Sequence, residues 1–284
     1  MQTSPDQEID HYLRSGEQDH MYAAWPGNDL FARAKLGRAA LRGALISTVR
    51  SRTRHAVAPA ALRTMDAVAF TRAKVAPMVR GLFPQCEQDA VLEVLGRSVV
   101  FLTPSTIDDV LENTPWPHTA WVLGNLYLAS CGAELLAEDA PQIVGLSAET
   151  TCYVSMEYFH EQGRIDDFVV HEAARIFHNC KRQTVGLREI RGREWLLPID
   201  FVKRETFAYV CEAYSRILEL ADCLPARRKL VSEMEQGPMP ADEHVVASEY
   251  MDILREAVAA RNGWKVILAR CAPGYAQRHD RGAA

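Results

Sequence analysis

The sequence predicts a mainly α-helical protein, an α+β chain whose strand content is confined to one small strand or hairpin element. Two observations carry that expectation. Apolar residues recur at helical spacing through most of the chain, supported by the helix formers Ala, Leu and Arg, and one run alone, Thr150–Ser155, is rich in β-formers. The 284 residues, 48% hydrophobic and 24% charged, have the composition of an ordinary folded domain and suffice for one large core or two smaller ones.

Residues 1–28 read as a flexible N-terminal arm ending in WPGND, where Pro26 and Gly27 interrupt regular structure. A basic, bundle-like helical region follows over 29–140. Its first helix runs from Leu30 to about Arg54, a second covers about 59–80 and a third about 88–102. Ser105, with Asp108 three residues on, reads as a capping pattern that opens a short helix ended by Pro115 and Pro117. The apolar stretch from His118 to Ala137 reads as a buried helix.

The last region, 141–284, opens with the strand at 150–155. A strong helix follows from about Asp167 to Arg182, then a small hairpin across 188–197 and the longest helix over about 201–222. Helices at about 226–236 and 241–261 close the fold, with Asn262–Gly263 as a C-terminal cap.

Several function classes are disfavoured. No apolar run reaches the roughly 20 residues needed to span a bilayer, and the polar, acidic start does not read as a secretory signal, so a cytoplasmic chain without a membrane partner is expected. The seven cysteines are scattered, with no CxxC pair, and read as reduced core thiols. No Walker loop, GxGxxG or GxSxG sequence occurs, which speaks against nucleotide-dependent and α/β-hydrolase chemistry.

The formal charge of −5 is unevenly spread, because residues 31–80 carry +10 and the remainder −15. Arg33, Arg38, Arg42, Arg50, Arg52 and Arg54 are the densest part of this basic stretch. A field of that kind attracts nucleic acid or an acidic partner, or docks on the chain's own acidic half. Phe31 and Phe70 are its only aromatics, too few for a base-stacking platform.

The one cluster with recognisable chemistry lies between Asp166 and Glu212. On the helix that follows Asp167, Val169, Val170, Ala173, Ile176, Phe177 and Cys180 share one face, and His171, Arg175, His178 and Arg182 the other. On the long helix after it, Phe207, Cys211, Tyr214 and Leu218 oppose Glu205, Glu212, Arg216 and Glu219. Turned toward one another, the His/Arg and Glu stripes would make a charge network or a metal site. A separate Glu157-Tyr-Phe-His160 element has the ExxH form used by di-iron bundles.

The pair His171–Glu172 opens an amphipathic helix, follows a β-prone segment and precedes, by about 30 residues, a helix beginning Glu205-Thr-Phe-Ala. This order resembles zincin-type (HExxH) metallopeptidases, nearest the anti-repressor, ImmA/IrrE-like kind that cleaves phage-type repressors. The resemblance covers about 60 residues and implies a zincin-like C-terminal part, zinc as cofactor and a polypeptide substrate. It further implies His171 and Glu205 as zinc ligands, Glu172 as the general base for a zinc-bound water, and 150–155 as an edge strand along which a peptide lies.

The chain departs from that pattern at the position four residues after His171, where Arg175 is a permanent cation unable to ligate a metal. His178 shares the face but stands roughly 10 Å along the helix axis, and the same spacing separates Glu205 from Glu212. Three readings stay open. In one, His171, Glu205 and either His178 or His160 hold zinc and the site is hydrolytic. In another, Arg175 replaces the metal by pairing with Glu205 or Glu212, leaving a modified, binding-only descendant. In the last, both stripes are solvated faces. A rival from a different class is a non-enzymatic regulatory protein that binds nucleic acid or an acidic partner through 31–80.

Overall fold

The computed structural model describes residues 3–138, 140, 145–148, 150–159, 165–190 and 194–274. Among these it has twelve α-helices and one three-stranded sheet, so the chain is mainly α. No helix among the described residues is long and apolar enough to cross a membrane.

The chain divides into two compact units, and neither is a single stretch of sequence. One comprises Met1–Thr64, Phe101–Leu146 and Ser155–His160, the other Met65–Val100, Ser147–Val154 and Glu161–Ala284. The expected succession 1–28, 29–140, 141–284 therefore does not describe the folding units.

In the first unit, α1 (Pro5–Ser15) replaces the expected flexible arm. Ser4 and Gln7 form a reciprocal capping box, Pro5 occupies the first turn, and Gly16 closes the helix in the left-handed region. Tyr12 is buried and its hydroxyl donates to the Pro117 carbonyl at 2.7 Å, which ties the helix to its own unit. Helix α2 (Leu30–Arg52) follows the expected course and buries a stripe of Gly37, Leu41, Leu45 and Val49. After the short α3 (Ala60–Thr64), the unit continues in α6 (Ile107–Asn113) and α7 (Pro117–Ser130). The expected Ser105–Asp108 cap is not the one made: Thr106 precedes α6, and its hydroxyl accepts from Thr103 N–H and donates to the Phe101 carbonyl.

In the second unit, Asp66 caps α4 (Ala67–Leu82) with its carboxylate, splitting the expected second helix into α3 and α4. Helix α5 (Gln85–Ser98) returns against α4, and its last turn gives way to strand β1 (Val99–Leu102) where β-branched Val99 and Val100 begin. Helices α8 (Phe168–Ile176), α9 (Arg204–Leu220), α10 (Leu224–Met234), α11 (Ala247–Ala259) and α12 (Gly263–Cys271) complete it. Helix α4 packs against α8, α9 and α12 and buries Val75, Met78, Val79 and Leu82, which is why the end of the basic stretch belongs with these later helices.

Strands β2 (Gly145–Ala148) and β3 (Thr151–Ser155) join β1 in the order β1-β3-β2. β3 is therefore central, hydrogen-bonded on both edges, and cannot be the edge strand along which a peptide lies. The expected hairpin across 188–197 has its turn at residues 191–193, which lie outside the described residues. The chain after them pairs with the exit of α8 through Leu196 N–H to the Cys180 carbonyl at 3.0 Å, while Arg182 N–H reaches the Glu194 carbonyl at 2.9 Å. Asn262 starts a helix instead of ending one, since its side chain accepts from Lys265 N–H and caps α12.

Candidate functional site

Helices α8 and α9 pack directly on one another, and their polar stripes meet. Local sequence fixes the start of α8: Asp167 caps it, accepting from Val170 N–H at 3.3 Å. Nearly every residue of this helix is buried, including His171 and Glu172, so the polar stripe runs through the interior. A charged group in that setting must be paired.

The imidazole of His171 lies between two carboxylates of α9. Its Nδ1 stands 3.0 Å from Glu212 Oε2, and its Nε2 stands 3.8 Å from Glu205 Oε2. Seven residues separate the two acids, about two helical turns, and one ring with nitrogens on opposite sides serves both. Burial works most strongly to lower the His171 pKa. The hydrogen bond and charge of Glu212, with the charges of Glu172 and Glu205, outweigh it and hold the pKa above its ordinary value. The Nδ1 proton is thus fixed toward Glu212, which also accepts from Asp167 N–H at 2.7 Å.

Arg175, one turn along α8, places its guanidinium between the same two helices. Its Nη2 is 3.3 Å from Glu205 Oε1 and its Nη1 is 3.7 Å from Glu172 Oε1. Of the two acids weighed as its partner, Glu205 is the one it meets. Tyr209, between Glu205 and Glu212 on the α9 face, sets its ring edge-on to His171 with centroids 4.5 Å apart. Burial, then the charges of Glu212, Asp242 and Glu205, push its phenol up to about 12, so it stays protonated.

Other expected members of the site lie elsewhere. α8 ends at Ile176, so the wheel that aligned His178 and Arg182 with His171 no longer applies. His178 is 7% exposed, its Nδ1 has no hydrogen-bond partner among the described residues, and burial followed by the charges of Arg204 and Arg175 lowers its pKa to about 4. Arg182 sits in a 3-10 turn, paired with Glu87 of α5. His160 lies outside the described residues. Among the described residues, no group of three or more His, Cys, Asp or Glu side chains is arranged to hold a metal ion.

A catalytic zinc site needs three protein donors around an open position. His171 Nε2 and Glu205 supply two that face one another, and the next place on the helix face is filled by a guanidinium, which has no lone pair to give. Among the described residues, the donors at this place do not complete the set that zinc needs.

Compared with known family models, curated proteins and solved structures, the chain gives no match. The site is therefore described by its own geometry.

Three participants were not singled out from sequence. Lys74 of α4 donates to Asp167 Oδ2 at 3.0 Å and to Glu219 Oε1 at 3.0 Å, tying α4 to both site helices. Nothing local marks a lysine 93 residues from its partner. Asp167 was legible as a helix cap, and Tyr209 as a member of the Glu205–Glu212 stripe.

The basic stretch is not one surface of one unit, because residues 31–64 and 65–80 belong to different units. Several of its guanidiniums are also engaged. Arg42 donates to the Thr114 carbonyl, Arg50 pairs with Asp108 at 2.7 Å, and Arg52 caps the Glu134 and Leu135 carbonyls. Arg38 reaches the Tyr22 hydroxyl at 3.1 Å. Arg33 is half-buried and Arg54 exposed at the two ends of this run.

The two buried histidines have opposite pH signatures. For His178 the folded pKa of about 4 lies below the ordinary 6.5, so between those values the unfolded chain takes up the proton and the folded chain does not. Its stabilising contribution is complete above about pH 6.5 and falls by about 3 kcal/mol as the pH drops to 4. His171, with a raised pKa, contributes fully below about pH 6.5 and loses that contribution as the pH rises through its folded value. Urea titrations at pH 7 and pH 4 are expected to show wild type losing more stability than His178→Gln. Equal losses would mean that the imidazole is solvated.

Proposed function

We propose that the chain is a zincin-like protein in which the Arg175 guanidinium takes the place of the metal, and that it binds a polypeptide partner without hydrolysing it. The observation that carries this reading is the pairing of Arg175 with Glu205 and Glu172, four positions after His171 on the same helix face. In a zincin a cation joins the His-bearing helix to the Glu-bearing helix; here the cation is covalently part of the chain. The Glu212–His171 contact repeats the arrangement in which a carboxylate orients a ligand imidazole, and it now positions an imidazole with Glu205 on its other side. The polypeptide partner rests on the resemblance.

In this reading Glu172, whose Oε1 lies 3.7 Å from Arg175 Nη1, serves to hold the guanidinium instead of activating a water. Wild-type protein incubated with zinc and then dialysed is expected to retain no stoichiometric metal and to leave denatured casein uncut. One zinc per chain that disappears in His171→Ala, or cleavage that disappears in Glu172→Gln, would overturn the proposal.

A further inference from the structure

On the Glu212 side of the imidazole lies a pocket of about 430 Å³ between α9, α10, α11 and the segment leading into α8. That volume lies in the range of small-molecule sites. Leu230, Met234 and Met239 give it apolar walls, and Glu212 and Asp166 bring carboxylates to it. No lysine or arginine is among its described lining residues.

Two tyrosines, Tyr209 and Tyr250, and a third acid, Glu233, are also among the lining residues. Tyr250 is 5% exposed, yet its hydroxyl makes no hydrogen bond among the described residues. Burial above all, then the charges of Glu212, Asp166 and Tyr209, hold that phenol protonated. Tyr250 lines the pocket, so its hydroxyl is open to a ligand atom there.

Apolar walls select a hydrocarbon body. Asp166 has no ion-pair partner among the described residues, and Glu212, already hydrogen-bonded to His171 and the Asp167 N–H, adds negative charge; together they favour a positive charge, and the aromatic faces add cation–π attraction for it. We propose that this pocket binds an organic cation, an ammonium or guanidinium carried on an apolar body, with Glu212 and Asp166 facing the charge and the Tyr250 oxygen accepting one of its N–H groups. The same chemistry is offered by a free amine and by a basic side chain of a peptide. The assignment stands on the pocket and does not depend on what Arg175 replaces, so zinc uptake or its absence leaves it unaffected.

Calorimetric titration of the full chain with three probes of one shape, 2-phenylethylammonium, 2-phenylethanol and 3-phenylpropionate, tests it. The ammonium is expected to bind at least about tenfold more tightly than the alcohol, as one charge-assisted hydrogen bond provides, and the carboxylate not at all. A capped tripeptide with a central lysine identifies the source: tighter binding of the tripeptide favours a peptide side chain, tighter binding of the ammonium a free amine, and both support the site. Tyr250→Phe, which keeps the packing, and Asp166→Asn, at an exposed position, are each expected to weaken ammonium binding by several-fold while preserving the fold. Equal affinity for ammonium and alcohol, unchanged affinity in both variants, or no binding of any probe would overturn the assignment.

Discussion

Replacing Arg182 by methionine is expected to lower the free energy of unfolding by about 4 kcal/mol, within the range found when one partner of a buried ion pair is removed. The Arg182 side chain is 2% exposed, its Nη2 lies 2.5 Å from Glu87 Oε1, and its Nε donates to the Arg188 carbonyl at 2.8 Å. Methionine fills similar space but leaves the Glu87 carboxylate, itself 15% exposed, without its counter-ion. Urea denaturation checks the loss. The double variant Arg182→Met/Glu87→Leu should recover most of it, because the cost lies in the orphaned charge and not in the missing attraction. A loss below about 1 kcal/mol would show that water reaches the pair.

The second large effect is expected at Arg175. Arg175→Met removes the cation between α8 and α9 and leaves Glu172, 4% exposed, and Glu205, 19% exposed, facing one another without it. Because the Arg175 side chain is itself 29% exposed, the expected loss is smaller, about 3 kcal/mol. The variant should also raise the His171 pKa further, since a positive neighbour is lost from among its carboxylates; NMR titration of the imidazole reads that shift directly. A stability change below about 0.5 kcal/mol would place the guanidinium in solvent.

Helical periodicity revealed what local sequence controls. The courses of α2 and α9 and the membership of the polar stripes that carry His171, Glu205 and Glu212 follow from spacing, whereas the meeting of those stripes is a tertiary contact that spacing left open. The resemblance to a metallopeptidase rests on that same spacing. Helix α1 was also written locally, in Ser4, Pro5 and Gln7, but a charged, polar terminus weighed against it. Asn262–Gly263 is ambiguous by nature, because asparagine caps either end of a helix, and here it opens α12.

Non-local pairing accounts for the rest. The apolar period after Asp167 continues past Ile176, yet the backbone at 180–182 pairs with residues 194–196, and helix gives way to that extended contact. The central position of β3 depends on β1, about 50 residues earlier. Lys74 joins the site because α4 packs on α8 and α9, a relation with no signature in its own neighbourhood. The basic stretch looked continuous in sequence because charge counting ignores where a chain changes unit.

The most direct test of a guanidinium standing where a metal would is to restore a ligand at its position. Arg175→His puts two imidazoles one helical turn apart on α8, with Glu205 opposite, which is the three-donor set zinc requires. Calorimetric titration of that variant with zinc is expected to give one tight site per chain, lost again on His171→Ala, while wild type takes up none. Failure of a folded Arg175→His protein to bind zinc would mean that His171, position 175 and Glu205 do not surround one point in space, and the metal-replacement account would not stand.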